Sequence, residues 1–350
     1  MNKLGTYSKL DLGRHPDSIQ LKDPAESMQL NLVFTDQLGE RTMARVHHKL
    51  EPLPIGGGRS PSPIYLEPNS GEVEQSHAAI SLRRRRGRRI VFGWYGGKFS
   101  HLDWLLPLLP SCHHYCEPFA GSAAVLLNRD PAPVETYNDI DGEVVNFFKV
   151  LRDQPQELQR AIALTPFSRE EFFKAIYGST RGITDLERAR RFYIRARQAR
   201  TGLAQTATLG RWANCKNTSR AGMSGVVSRW LGGVEGLAEI GERLLRVQIE
   251  NRPAIEVIKL YDSPATLFYC DPPYLHSTRG DVKAYGYEMM EEEHIHLAEV
   301  LHSVRGKVAI SGYRSPLYDK LYKGWRRYDA PARYCHSVKQ KRQECLWMNY

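Results

Sequence analysis

The tetrapeptide Asp271-Pro272-Pro273-Tyr274 is the segment whose residue types point most directly to chemistry. It follows an apolar run at 267–270 that predicts a buried strand. Ligands of α/β sheets bind beyond the carboxyl ends of such strands. Two consecutive prolines remove two backbone donors and stiffen the loop. The segment therefore predicts a rigid binding corner, and the alternative is a plain proline turn that closes a strand.

The chemistry that this corner suits is group transfer to the exocyclic amine of a nucleobase. Such an amine is conjugated with its ring and is a poor nucleophile, and acceptors on its two hydrogens draw it toward tetrahedral geometry. Asp271 and the carbonyl of Pro272 supply two acceptors. The ring of Tyr274 supplies a surface on which a base rotated out of a duplex can stack.

A second segment, Glu117-Pro118-Phe119-Ala120-Gly121-Ser122, follows another predicted strand at 114–117. A glycine turn between a strand and a helix lets the backbone approach a bound adenosine or methionine moiety. The segment is not a G-x-G-x-x-G fingerprint, so a nicotinamide-dependent oxidoreductase is poorly supported.

Two shorter signals complete the set. Asp139 follows a predicted strand at 134–137, about 20 residues after the glycine turn, where a carboxylate commonly holds ribose hydroxyls. The alternative for Asp139 is a helix N-cap. Trp94-Tyr95-Gly96-Gly97-Lys98 sets a Gly-Gly turn between an aromatic ring and a cation, which suits closure over a carboxylate and an adenine ring. In isolation this turn would be interpreted as solvated.

In this order the four segments resemble the Dam-type DNA adenine methyltransferases, over about residues 91–350. The resemblance implies transfer of a methyl group from S-adenosylmethionine to the exocyclic amine of adenine in duplex DNA, at a specific sequence and without a metal. It implies that residues 271–274 hold the target adenine. It also implies cofactor contacts by Trp94, Lys98, Glu117, Phe119, Gly121, Asp139 and Asp271.

The chain departs from the family pattern at two points. Ala123 stands where the family often has a second glycine, which puts the cofactor fit there in question. Ser311-Gly312-Tyr313 stands where Ser-Asn-His is common. The closing residues 344–349 are similar to the family's last strand, and residues 1–88 have no counterpart.

Other activities remain as alternatives. Cytosine amino-methyltransferases more often carry Ser at the first position of the tetrapeptide, and enzymes acting on RNA or protein amines usually carry Asn, so Asp271 favours adenine. A DNA-binding relative that kept the fold and lost catalysis is a further alternative, although the complete tetrapeptide argues against it. The sequence specifies neither the recognition site nor whether a cognate restriction endonuclease exists.

From Ile90 onward helix and strand signals alternate, which predicts an α/β fold with a largely parallel sheet. The resemblance implies a Rossmann-like S-adenosylmethionine-dependent methyltransferase sheet with an inserted, mainly helical DNA-recognition domain. We expect a flexible extension at 1–88, cofactor-binding and catalytic parts at 89–165 and 251–350, and a target-recognition insertion at 166–250. The predicted strands are 114–117, 134–137, 266–270, 308–311 and an antiparallel edge strand at 344–350, and the predicted helices include 143–152 and 288–304.

The insertion is predicted from spacing and charge. Gly121 and Asp271 are 150 positions apart, more than two or three βα units require. Residues 166–250 supply the surplus, and aromatic residues lie among their arginines. Arginines contact phosphates or pair with guanine. The alternative is a helical subdomain with a solvated basic face. The candidate DNA contacts are Arg195, Arg197, Arg200 and Arg211.

Composition agrees with an anionic partner. The 350 residues carry a formal net charge of +10, and double-stranded DNA is the partner that the resemblance implies. No apolar run approaches the ~20 residues that span a bilayer, and no secretory signal is visible. Cys112 and Cys116 lack a second ligand pair at zinc-site spacing. We expect a cytoplasmic monomer of bacterial or phage origin that contacts no membrane.

Overall fold

The computed structural model describes residues 87–200, 204–278, 286–335 and 340–350, together with two short strands nearer the N-terminus. The chain divides into two units, Met1–Ser81 and Leu82–Tyr350. In the first unit, β1 (Val33–Thr35) pairs antiparallel with β2 (Arg41–Met43). The predicted flexibility of residues 1–88 lies almost entirely outside the described residues.

The described strands of the second unit are β3 (His114–Glu117), β4 (Val134–Asn138), β5 (Ser219–Arg220), β6 (Met223–Ser224), β7 (Gln248–Glu250), β8 (Thr266–Cys270), β9 (Lys307–Tyr313), β10 (Arg326–Asp329), β11 (Arg333–Cys335), β12 (Gln340–Arg342) and β13 (Glu344–Met348). Seven of them form one mixed sheet in the order β10-β13-β9-β8-β3-β4-β7. Five strands of this sheet, β3, β4, β7, β8 and β9, run parallel, and β13 and β10 continue the sheet through antiparallel pairs.

Helices connect these strands. The described α-helices are α1 (Leu102–Leu105), α2 (Ala124–Asn128), α3 (Gly142–Asp153), α4 (Pro155–Ala163), α5 (Arg169–Tyr177), α6 (Asp185–Gln198), α7 (Gly225–Glu235), α8 (Leu237–Leu244), α9 (Ala254–Leu260), α10 (Glu291–Ser303) and α11 (Pro316–Leu321). Single 3-10 turns occur at Lys98–His101, Leu106–Leu108, Leu209–Arg211 and His276–Thr278. None of these helices has the length and apolar character that a membrane crossing demands.

Apolar side chains cover both faces of the sheet. Along β8, Leu267 and Tyr269 belong to one apolar core, whereas Phe268 and Cys270 belong to a second one. Successive side chains of a strand point to opposite faces, so a core exists on each side of the sheet. Parallel strands buried on both faces are typical of α/β proteins. The predicted α/β class with a mostly parallel sheet is therefore confirmed.

Most predicted elements lie where the sequence places them, and one prediction is wrong. The strand predicted at 266–270 is β8, and the helix predicted at 143–152 is α3 with one extra residue at each end. Glu344–Met348 is antiparallel as predicted, but it is not an edge strand. It lies between β9 and β10, and all five of its residues are buried. The charged strand β10 pairs with β13 and forms the sheet edge that the sequence had assigned to residues 344–350.

The long segment between β4 and β7 is mainly helical. Its helices pack around an aromatic cluster, in which the Phe147 and Tyr193 rings stack 5.7 Å apart and Trp230 lies 5.5 Å from Tyr193. The Trp230 indole donates a hydrogen bond to the carbonyl of Thr165, which joins α7 to the end of α4. This cluster belongs to the same apolar core as Leu267 of β8, so the segment packs continuously with the sheet.

Candidate active site

A cavity of about 550 Å³ lies beyond the carboxyl ends of β3, β4 and β8. The parallel register brings these strand ends to one edge of the sheet. Pro272 and Tyr274 do not line the cavity. The predicted site residues in its wall are Trp94, Lys98, Glu117, Phe119, Gly121, Asp139, Asp271 and Pro273.

The glycine turn after β3 is fixed by its neighbour strand. Gly121 has a φ of 48°, in the left-handed region that favours glycine. Its amide donates to Asp139 Oδ2 at 2.8 Å, and its carbonyl accepts from the Tyr137 hydroxyl at 2.8 Å. A Cβ on Gly121 would lie 2.5 Å from Trp94 Nε1, so a glycine is needed for the indole to lie over the turn.

Asn138, the last residue of β4, joins three loops at this edge. Its amide group donates to the carbonyls of Pro118 and Arg252, and its side-chain oxygen accepts from the Arg252 amide. Asn138 is buried, and its hydrogen bonds to Pro118 and Arg252 are buried or partly buried. The loops after β3 and β7 are therefore held at a fixed spacing on either side of β4.

Ala123 takes the conformation that a glycine would take most easily. Its φ is 55° and its ψ is 28°, although the residue carries a side chain. The methyl group is fully buried in the apolar core and does not line the cavity. The departure from the family pattern at this position therefore changes the backbone strain of the turn and leaves the cavity wall unaltered.

Two carboxyl groups of the cavity are protonated more easily than usual. Burial raises the pKa of Asp139 to about 6, although the amides of Asp141 and Gly121 donate to it. Burial raises the pKa of Glu117 to about 8, against the hydrogen bond donated by Tyr115 at 2.7 Å. The N-cap of α3 is Asp141, whose carboxylate accepts from the Glu143 amide, so Asp139 does not serve as that cap.

The acidic-proline corner, residues 271–274, packs beside one buried cation, Lys98, and a second carboxylate, Glu344. Lys98 Nζ lies 2.8 Å from Asp271 Oδ1 and 3.3 Å from Glu344 Oε1, and it donates to the carbonyl of Gly96 at 2.7 Å. Burial opposes the charge of Lys98, but the two carboxylates raise its pKa above the ordinary value. Burial raises the pKa of Asp271, and Lys98 offsets part of that rise.

The partners of Asp271 all approach one of its oxygens. Lys98 and the Tyr274 hydroxyl both contact Oδ1, the latter at 3.2 Å. Within the described part of the chain, neither Asp271 Oδ2 nor the carbonyl oxygen of Pro272 accepts a hydrogen bond. Asp271 therefore brings an acceptor to the cavity wall, whereas Pro272 is buried beside it and does not line the cavity.

Tyr274 lies behind the cavity wall. Only 4% of the residue is exposed, and its ring makes an edge contact with Tyr313 at 4.8 Å. Lys98 Nζ lies 5.0 Å from the ring centroid, and the hydroxyl is 2.9 Å from both oxygens of Glu344. Stacking of Tyr274 on a base stays a prediction.

Sequence reasoning missed several residues of the site. Glu344 is buried at the start of β13, and its spacing from Asp271 carries no local signal. Pro253 follows β7, so the rule that ligands bind beyond strand ends could have found it. The cavity wall also contains Ile140, Gln205, Pro253, Ile255, Tyr287 and Met289.

The candidate DNA-contacting arginines divide into two groups. Arg195 is largely buried, donates to the carbonyl of Ala175 at 2.7 Å and pairs with Glu143, and burial lowers its pKa. Arg197 donates to the carbonyl of Arg229 at 2.7 Å. These two guanidinium groups support the helices internally.

The other two candidates lie nearer the surface. Arg200 is exposed and contacts Asn214. Arg211 is half-buried, and its side chain makes no hydrogen bond or ion pair to another described residue. Arg220, exposed on the β5–β6 hairpin, likewise makes no side-chain contact of this kind within the described ranges. The same part of the chain contains no group of three or more His, Cys, Asp or Glu residues arranged to hold a metal ion.

The family of D12 class N6 adenine-specific DNA methyltransferases matches residues 94–342. The chain belongs to this family. The match begins at Trp94 and includes the glycine turn, Asp139 and the acidic-proline corner, so it spans the predicted site. The resemblance to DNA adenine methyltransferases is therefore confirmed.

Curated relatives agree with the family. The chain is 27% identical to the DNA N-6-adenine-methyltransferase of Escherichia phage P1 over 248 residues, which are 67% of this chain and 31% of that protein. It is 24% identical to the retron Ec67 DNA adenine methylase of Escherichia coli over 265 residues, 72% of this chain and 84% of that protein. A DNA adenine methylase of Vibrio cholerae is 35% identical over 71 residues, 20% of this chain and 24% of that protein. The chain thus spans about a third of the phage relative and a quarter of the Vibrio one.

Proposed function

We propose that this chain transfers a methyl group from S-adenosylmethionine to the exocyclic amine of adenine in duplex DNA, at a specific sequence. The observation that carries the proposal is the acidic-proline corner. Asp271 Oδ2 and the Pro272 carbonyl accept no hydrogen bond from the described residues, and Asp271 faces the same cavity as the glycine turn and Asp139. Family membership supports adenine as the base.

The cavity fits S-adenosylmethionine in size and chemistry. Its volume of about 550 Å³ lies within the range of small-molecule sites. Asp139 is suited to ribose hydroxyls, and the Trp94 indole and Ile140 give apolar surface for an adenine ring. Glu117 is suited to a cationic amino group, which would lower the pKa of this carboxyl again. S-adenosylmethionine supplies the methyl group as an electrophilic sulfonium.

The corner is suited to activate a neutral amine. Asp271 Oδ2 and the Pro272 carbonyl accept the two N–H hydrogens and localise the nitrogen lone pair. As the N–CH₃ bond forms and the S–CH₃ bond breaks, positive charge moves onto the amine nitrogen. Two carboxylates, Asp271 and Glu344, face one cation, Lys98, so the ionised cluster is net negative and stabilises that charge. The amine proton leaves after transfer.

Access to the amine requires the adenine to leave the duplex. Unstacking and unpairing a base costs a few kcal/mol, which contacts inside the pocket must offset. We propose the Tyr274 ring as the surface on which the base stacks. Because this ring is buried against Tyr313, its contacts with its neighbours must change before a base can reach it. Tyr287 and Met289, which precede α10 in the cavity wall, and Phe119 give further apolar contacts.

We propose that the segment 166–250 reads the DNA, with Arg200, Arg211 and the hairpin residue Arg220 toward the phosphates. Arg200 and Arg220 are exposed, and Arg211 and Arg220 make no ion pair with another described residue. Arg195 and Arg197 contribute indirectly in this proposal, because their guanidinium groups bind within the protein.

Arg211→Ala and Arg220→Ala are each expected to weaken DNA binding with little effect on cofactor binding. A lost phosphate contact reduces the slope of log Kd against log salt concentration by about one. Fluorescence anisotropy with a labelled duplex at several salt concentrations measures this slope. Calorimetry with S-adenosylmethionine measures the cofactor Kd.

Arg305→Ala is the matched control for these variants. Arg305 is exposed and lies just before β9, at the amino edge of the sheet, where it contacts Asp262. We expect its salt dependence to equal that of the unaltered protein. Equal slopes for all three variants would contradict the proposed DNA surface.

The proposed function is tested by identifying the methylated product. The protein is incubated with unmethylated bacterial DNA and tritiated S-adenosylmethionine, and the DNA is digested to nucleosides for mass spectrometry. We expect N6-methyladenine, and long-read sequencing then gives the recognition sequence. N4-methylcytosine would overturn the proposed base. Cofactor binding without transfer to any DNA would instead support a relative that has lost catalysis.

We also propose a monomer that works in the cytoplasm of a bacterium, consistent with the bacterial and phage sources of the relatives. A cognate restriction endonuclease belongs to the same proposal. Digestion of methylated and unmethylated host DNA by extracts of cells that encode the chain tests for it.

A further inference from the structure

Glu344 is a buried carboxylate that the sequence motifs do not assign. It begins β13, where it pairs in register with Tyr313 of β9, and 6% of it is exposed. It does not line the cavity. A buried carboxylate is costly unless it is paired, so its partners account for its presence.

The partners of Glu344 are two groups that also contact Asp271. The Tyr274 hydroxyl lies 2.9 Å from both Glu344 oxygens and 3.2 Å from Asp271 Oδ1. Lys98 Nζ lies 3.3 Å from Glu344 Oε1 and 2.8 Å from Asp271 Oδ1. Glu344 and Asp271 therefore share a cation and a hydroxyl.

The hydrogens of Lys98 are fully used in this arrangement. An ammonium group has three N–H donors. The three acceptors in reach are the carbonyl of Gly96, Asp271 Oδ1 and Glu344 Oε1. Loss of the Glu344 acceptor would release one N–H of Lys98. Among the described residues, Asp271 Oδ2 is the carboxylate oxygen of the cluster that accepts no hydrogen bond. A donor that moved there would occupy the acceptor needed by the substrate amine.

We propose that Glu344 is a positioning residue, which holds Lys98 and the Tyr274 hydroxyl on the Oδ1 side of Asp271 and so keeps Oδ2 available for the adenine amine. This inference rests on the proposed methyl transfer. Glu344 acts through Lys98 and Tyr274 and contacts neither substrate. Its negative charge also keeps the cluster complementary to a cationic transition state.

Glu344→Gln in the full chain tests the proposal. The amide oxygen still accepts one hydrogen bond, so the fold is expected to persist, but the charge and the second acceptor are lost. We expect single-turnover methyl transfer to fall by about 100-fold and the Kd for S-adenosylmethionine to stay within about threefold, since a loss confined to the transition state lowers the rate alone. Tritium transfer to unmethylated DNA and calorimetry measure the two quantities.

A matched control comes from a similar pair on β7, the strand at the far edge of the sheet. Glu250 ends β7, accepts from the Tyr261 hydroxyl at 2.7 Å and pairs with Arg252 at 3.2 Å, away from the cavity wall. Glu250→Gln makes the same chemical change there. We expect its transfer rate to match the unaltered protein within about twofold, because surface substitutions away from a site have small effects.

A pH profile separates positioning from a purely structural role. Burial raises the pKa of Glu344 and of Asp271. Glu344→Gln removes a neighbouring negative charge and leaves Lys98 to Asp271 alone, which lowers the pKa of Asp271. The acid limb of the single-turnover rate should therefore move to lower pH. The charged and titratable groups that interact with Asp271 among the described residues are Lys98, Glu117, Tyr269, Cys270, Tyr274, Tyr318 and Glu344.

The outcomes are distinct. If the unaltered protein transfers no methyl group, the proposed function fails. If it is active and Glu344→Gln matches it in rate and pH profile, the positioning role is wrong. A lower rate with an unmoved acid limb also overturns the role and leaves Glu344 structural. Should the neutral variant fail to fold, Glu344→Asp keeps the charge on a side chain one methylene shorter, and an unchanged rate in that variant would equally contradict the proposal.

Discussion

Asp271→Asn is expected to lower the rate of methyl transfer by at least about 1,000-fold, the upper range for removal of one electrostatic stabiliser. The change keeps the size of the side chain. It removes the charge that stabilises the amine nitrogen as it becomes positive, and it leaves Lys98 with Glu344 as its remaining carboxylate. The Kd for S-adenosylmethionine should change by less than about tenfold, because most of the cavity wall is unaltered. Single-turnover transfer of tritium to unmethylated DNA measures the rate.

Asp262→Asn serves as the control for this variant. Asp262 is a largely buried carboxylate at the opposite, amino edge of the sheet, where it accepts from the amides of Arg305 and Gly306. Its replacement should reduce thermal stability somewhat and leave transfer unchanged. A rate for Asp271→Asn within tenfold of the unaltered protein would remove Asp271 from the mechanism.

The part of the site that follows local rules could be predicted from the sequence. Asp139 and Asp271 come directly after a strand, and Gly121 lies in the turn that follows β3. Parallel strands place their carboxyl ends at one edge of the sheet. Strand β8 was predictable residue for residue, because its apolar run is followed by Asp271 and then by two prolines that cannot continue the strand. The strand pattern and the motifs therefore both predict a ligand site at the same edge of the sheet.

The remainder depends on contacts between distant segments. Glu344 reaches Lys98 because β13 inserts between β9 and β10, and no local pattern specifies that order. The helix α6 is basic in sequence, yet Arg195 pairs with Glu143 from α3, 52 residues earlier. The sequence gives the charge of a side chain. Whether that charge can contact DNA depends on the acidic side chains that tertiary packing places next to it.

The conformation of Ala123 illustrates a further limit. The family often has a second glycine at this position, but Ala123 adopts a φ of 55° with its methyl group buried. The left-handed region costs an L-residue about 1–2 kcal/mol, and buried apolar contacts offset part of it. Sequence shows which residue is present, and the balance between strain and packing appears once its neighbours are placed.

Gly121→Ala is expected to weaken S-adenosylmethionine binding by at least about tenfold, the effect of losing 1.4 kcal/mol of binding free energy. The added Cβ would lie 2.5 Å from Trp94 Nε1 and 2.8 Å from Trp94 Cδ1. The indole cannot retreat freely, because the rings of Phe92 and Phe192 lie 5.8 Å and 6.2 Å from it. Since Trp94 and Gly121 both line the cavity, the clash must alter the cofactor site. Calorimetry with S-adenosylmethionine measures the change.

Gly182→Ala separates this clash from backbone strain. Gly182 has a φ of 75°, and a Cβ added there meets nothing within 4 Å. In both variants an alanine must adopt the left-handed conformation, which costs about 1–2 kcal/mol of folding free energy. The thermal unfolding temperature of both is therefore expected to fall. Only Gly121→Ala should also lose cofactor affinity, because only its methyl group meets a residue of the cavity wall. The two variants could lose the same thermal stability as each other while both keep the Kd of the unaltered protein for S-adenosylmethionine. In that case the glycine turn and Trp94 do not form the cofactor site.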